Sequence, residues 1–140
     1  MKIKLKLQLS VVVFTICCNT TSYAENLTNA QIRQMEDLAK TIALQHNANS
    51  KAMLDHVMVS THAVASGRNV RIENILRLKK DLPAAKLKEW SDMTRQEILL
   101  QACKNPPAFE RGLSYTFAYL NTYGEKLTEF NVDKATCELQ

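Results

Sequence analysis

From Thr28 onward, apolar residues recur at helical spacing: Ile32, Met35, Leu38 with Ala39, and then Ile42. Arg33, Gln34, Glu36, Asp37 and Lys40 fall between them, which predicts a helix over 28–45 that packs on one side only. Its start is marked twice. Thr28 and Gln31 have the spacing of a capping box, and Leu27 and Ile32 that of a hydrophobic staple. The Asn-rich run 46–50 loses the period and reads as a connector.

Between 56 and 65 the period shortens to two. Val57, Val59, Thr61, Ala63 and Ala65 alternate with His56, Met58, Ser60, His62 and Val64, the pattern of a half-buried strand. Ser66-Gly67-Arg68-Asn69 is a turn signal. Val70, Ile72, Leu76 and Leu78 then line one face of a returning strand, with Arg71, Glu73 and Arg77 on the other. The pair predicts an antiparallel hairpin.

A second helical region covers 83–104, with Pro83 suited to its first turn. Thr94 and Glu97 repeat the capping box, and Met93 and Ile98 the staple, so a break near Ser91 and Asp92 would split it into two helices. Pro106 and Pro107 stop it, because a residue before proline is pushed out of the helical region. A short turn ends at Gly112. Leu113, Tyr115, Phe117 and Tyr119 then share a strand face, 121–124 is a loop, and 127–132 returns with Phe130 and Val132 on one face. The order α-β-β-α(α)-β-β predicts an α+β domain: an antiparallel sheet of about four strands in two hairpins, with helices on one face.

The first 24 residues stand apart from this pattern. Lys2, Lys4 and Lys6 precede an apolar stretch from Leu7 to Cys18, and Ser22-Tyr23-Ala24 is a small-x-small cleavage site. That is an export signal, with an apolar stretch too short to span a bilayer. Cys17 follows Ile16 and Cys18 follows Cys17, whereas a lipid-attachment site wants small residues there. Cleavage after Ala24 is the expected processing, leaving 25–140 as one domain in the periplasm or the medium. Cys103 and Cys137, the two cysteines outside the signal, can pair in such an oxidising compartment.

Export also changes the charge. Three of the 18 basic residues and none of the 14 acidic ones lie in the signal, so the formal +4 of the whole chain falls to about +1. Lys79-Lys80 and Lys86/Lys88 are interrupted by Asp81, Glu89 and Asp92, which argues against a nucleic-acid face.

Candidate chemistry is sparse. His56 and His62 would share a strand face, but six residues at about 3.3 Å each hold them roughly 20 Å apart, and zinc ligands lie about 2 Å from the ion. His46 sits in the connector, so neither a metal site nor a cofactor is expected. Ser60 neighbours His62, the one pairing that would serve a small hydrolase, although no G-x-S-x-G occurs. The row Tyr115, Phe117, Tyr119, with Tyr123 in the loop, either packs beneath the helices or faces solvent as partner anchors.

From Cys103 the chain reads C-K-N-P, a turn ending in Gly112, a Tyr-rich strand, a turn at Gly124 and a final Cys137. This segment resembles the C-terminal part of small exported bacterial proteins of unassigned role, of which the quorum-sensing-regulated virulence factor group is the nearest named family. The resemblance implies a small secreted α+β fold closed by a disulfide, and no mechanism. The expectation is a disulfide-stapled, non-catalytic binding or accessory module whose partner is another envelope or extracellular protein. Two alternatives stand beside it. One is a periplasmic inhibitor of a lysozyme or protease acting through loop 121–126, and the other is a small hydrolase around Ser60 and His62.

Overall fold

The computed structural model describes residues 27–78, 82–104 and 106–139, so the predicted export signal with Cys17 and Cys18 lies outside the described residues. Helix α1 (Asn29–Met53) begins as its pattern predicts: Thr28 caps it, its hydroxyl accepting from the Gln31 amide at 3.2 Å while Gln31 Oε1 accepts from the Thr28 amide at 2.7 Å. Met35, Ala39 and Ala43 form its buried stripe. The helix then continues two turns beyond the predicted end, so 46–50 is not a connector. Polar bonds replace apolar periodicity there. His46 and Asn47 dock on the first strand through hydrogen bonds of 2.7 to 2.8 Å.

Strands β1 (Met58–Ser66) and β2 (Asn69–Leu76) form the predicted antiparallel hairpin. Thr61 and Ala63 from β1, and Val70, Ile72, Asn74 and Leu76 from β2, are buried on one side. Met58 is buried as well, although strict alternation puts it on the polar side. A register shift between Met58 and Ser60 inserts an extra residue, and the bulge turns Met58 inward.

Helix α2 (Ala84–Ala102) is continuous through Ser91 and Asp92. The second capping box is unused: Thr94 lies buried in mid-helix, in line with Trp90 and Ile98, and Ser91 donates its hydroxyl to Thr128 across the fold at 2.6 Å. The predicted turn after it contains a short helix, α3 (Pro106–Glu110). The chain then turns at Gly112, where φ is +83° and a Cβ would collide with the Arg68 guanidinium. The positive φ is the constraint that favours glycine, since the guanidinium is the far end of a flexible side chain that can shift.

Strands β3 (Ser114–Asn121) and β4 (Lys126–Val132) form the second hairpin. The sheet order is β1-β2-β3-β4, and the central pair is parallel, Asn69 opposite Ser114 through Leu76 opposite Asn121. The sheet is therefore antiparallel within each hairpin but not between them. The crossover through α2 and α3 returns the chain to the end at which β2 began, which permits only a parallel partner. A last helix, α4 (Lys134–Glu138), was not legible as an element; Asp133 caps it by exchanging hydrogen bonds with Thr136. It carries Cys137 to Cys103, with the S–S bond at 2.01 Å and the Cα atoms 5.4 Å apart.

Both long helices lie on the same face of the sheet, α1 over β1 and β2, α2 over β4 and against β3 through Trp90. The core between them contains a chain of aromatic rings, from Phe109 through Tyr115, Phe117 and Phe130 to Tyr119 and Trp90, with neighbouring centroids 5.4 to 6.4 Å apart.

Candidate interaction surface

This arrangement decides the aromatic row. Phe117 and Tyr119 are buried and Tyr115 is half-buried, all beneath the helices, so as a row they are core and not a solvent-facing anchor. Burial pushes the Tyr115 phenol up to about 12. The alternation along β3 explains the outcome: the opposite face carries Ser114, Thr116 and Ala118, small groups that offer the helices little to pack on. Of the four candidates only Tyr123 is largely exposed, at 70%. Its loop is braced by Asn121, whose side-chain oxygen accepts from the Tyr123 and Glu125 amides at 2.9 Å. Asn121 also donates to the Glu125 carboxylate at 2.6 Å.

The uncovered sheet face is polar and internally bonded. Asn69 donates to Ser114 at 3.0 Å and to Thr116 at 3.1 Å, and Thr116 donates to Asn131 at 2.9 Å. Arg71 reaches across β3 to Glu129 at 2.9 Å and holds that carboxyl below its usual range. Ser60 and His62 stand on this face beside each other, His62 opposite Glu73 in register, and no hydrogen bond among the described residues joins Ser60 to His62 or His62 to Glu73. Among the described residues no three of His, Cys, Asp or Glu gather where they could hold a metal ion. No helix among them is long and apolar enough to cross a membrane.

Among the described residues an open groove lies at the α2–α4 edge. Asp92, Arg95, Gln96 and Leu99 of α2 face Thr136 and Leu139 across an open groove of about 440 Å³. On the outer face of α2 Met93 is 54% exposed and Leu100 58%, and Leu139, which lines the groove just past α4, is 86% exposed. The disulfide and the Asp133 cap hold the two walls together, and hydrogen bonds from Thr136 keep the Asp133 carboxyl below its usual range. The groove is lined mostly by polar and charged side chains, Asp92, Arg95, Gln96 and Thr136, between elements tied by the disulfide.

Sequence reasoning missed these exposed apolar side chains, though a signal existed. Met93 and Leu100 are seven residues apart and off the Trp90–Thr94–Ile98 stripe that faces the core, so helical geometry could have marked them as outward-facing. Leu139 carried no such signal, because α4 itself was not anticipated.

No protein-family model matches the chain, and no curated protein matches it by sequence. Solved structures do match in shape. The type II secretion system pilotin AspS from Vibrio cholerae superimposes with a TM-score of 0.56 at 20% identity, over 77% of this chain and 96% of that one. The pilotin EpsS of the Vibrio vulnificus type 2 secretion system gives 0.58 at 20% identity, over 81% and 100%. A candidate secreted protein from Pseudomonas aeruginosa gives 0.62 at 11% identity, over 79% and 98%. The likeness to small exported bacterial proteins thus holds at the level of the fold, and no quorum-sensing link comes with it.

Proposed function

We propose that this chain is an exported, non-catalytic accessory protein of the bacterial envelope that binds a component of a secretion apparatus, in the manner of a pilotin. The observation that carries the reading is the fold shared with two type II secretion pilotins over essentially their whole length. Fold alone does not imply function. The site assigned to the partner is the outer face of α2 and the adjoining α4 end, where Met93 and Leu100 are exposed and Leu139 lines a groove. Covering an apolar side chain of this size is worth about 1.5–3 kcal/mol relative to leaving it in water. The export signal over 1–24, cleaved after Ala24, supplies the compartment in which such a partner lives. The virulence association implied by the C-terminal resemblance belongs to this same proposal.

A second reading, an inhibitor of a lysozyme or protease, is favoured by one observation: the Asn121-braced loop that presents Tyr123. One experiment separates the two. The purified protein is used to capture proteins from an envelope extract of the producing bacterium, alongside a Met93→Asp/Leu100→Asp double variant and Tyr123→Ala. The accessory reading expects a secretion-apparatus protein to be retained by the wild type and Tyr123→Ala, and lost by the double variant with its melting temperature unchanged. Retention of a hydrolase, lost on Tyr123→Ala alone, supports the inhibitor reading. Capture indifferent to the double variant removes the outer face of α2 as the docking site.

A further inference from the structure

We infer that the outer edge of β1 is a strand-pairing surface held shut by Asn47, and that its occupant when opened is the same edge of a second copy of this chain. The side-chain amide of Asn47 donates to the Ala63 carbonyl at 2.8 Å and accepts from the Ala63 amide at 2.7 Å. A carboxamide offers the same donor and acceptor pair as a peptide group. Asn47 therefore fills, from a helix, the rung that a neighbouring antiparallel strand would fill.

Both backbone groups of Ala63 point away from β2, because both are bonded to Asn47. Strand alternation then turns the backbone groups of Thr61 and Ala65 to the same open side. Natural edges are protected by charges, prolines, bulges or a covering element. Between Met58 and Ser66 there is no Lys, Arg, Asp, Glu or Pro, whereas β4 at the other edge carries Lys126 and Glu129. The one irregularity of β1 is the bulge at its beginning. The guard over its centre is Asn47.

The guard rests on little else. Beyond Ala43 helix α1 has no buried residue, and the segment lies on the sheet through Asn47 and through His46, whose Nε2 is 2.8 Å from the Thr61 hydroxyl. Elements with few buried apolar contacts open locally at low cost.

The strand suits a second copy. With Ala63 opposite Ala63 in an antiparallel, two-fold pair, His62 faces Val64, Thr61 faces Ala65 and Ser60 faces Ser66. No rung sets two charges against each other, and a two-fold axis closes the pair as a dimer.

Light scattering on the purified protein tests this with Asn47→Ala. The apparent mass is expected to double relative to wild type as concentration rises. Deuterium exchange is expected to slow at the amides of Thr61 and Ala65. Adding Val64→Lys, a charge at an exposed position of the joint, is expected to return the mass to the wild-type value. A folded Asn47→Ala that keeps the wild-type mass at every concentration overturns the inference, as does a dimer that leaves Thr61 and Ala65 unprotected. Should Asn47→Ala fail to fold, Asn47→Asp keeps the acceptor for the Ala63 amide and loses the donor. The same two readouts then decide.

Discussion

The indole of Trp90 stands edge-on to the ring of Tyr119, centroids 5.4 Å apart and planes at 87°. Through this contact α2 is seated on β3, and it lies at one end of the aromatic chain that runs through the core. Tyr119 is fully buried, and its hydroxyl has no hydrogen-bond partner among the described residues. Burial, with the nearby Glu97 charge adding to it, raises its phenol well above the ordinary value.

A buried hydroxyl without a partner costs stability, and deleting it removes that cost. Tyr119→Phe is therefore expected to stabilise the protein by about 1 kcal/mol, while Tyr119→Ala costs about 3–5 kcal/mol through the cavity it leaves. Urea unfolding of both variants checks this. A loss of stability in Tyr119→Phe would mean that the hydroxyl finds a partner in solution.

The disulfide spans a sequence separation of 34 residues. Opening a loop of that size is expected to cost about 3–4 kcal/mol in the chain-entropy model. Comparing urea midpoints of the oxidised protein and of Cys103→Ser/Cys137→Ser measures it. The α2–α4 groove should suffer first, because α4 is a five-residue helix held by the bridge and the Asp133 cap. Partner capture through Met93 and Leu100 is expected to fall even where the sheet remains folded.

Stability should also depend on pH through His46. Burial first, and then the His62 charge, lowers its pKa from the ordinary 6.5. The unfolded chain thus binds the proton more readily than the folded one, and stability rises with pH wherever that holds. The His46 contribution is fully present above about pH 6.5 and is lost as pH falls through the lowered folded value. Urea midpoints measured between pH 7.5 and 5 should fall on the acid side. In His46→Gln, which cannot titrate, this part of the slope should vanish. An unchanged slope would assign the acid sensitivity to other groups.

Much of the fold was legible locally. The apolar spacing of Ile32, Met35 and Ala39, the alternation Thr61–Ala63 and Val70–Ile72, the cap at Thr28 and the two cysteines are all properties of short stretches, and each was found where its pattern put it. Periodicity carries that information because it sorts side chains by face before any partner is chosen.

What the sequence by itself determined is therefore which residues turn inward within each element, and the pairing inside each hairpin. The tertiary structure decided the rest. The centre of the sheet is parallel because of where α2 and α3 deliver the chain, and Met58 turns inward because of a bulge that only the register with β2 reveals. The last turns of α1 are helical and docked because His46 and Asn47 find Thr61 and Ala63 some 15 and 16 residues away. The physical reason is common to all three. Hydrogen bonds between distant segments leave no periodic trace in the chain, and apolar periodicity is silent where polar groups hold two elements together.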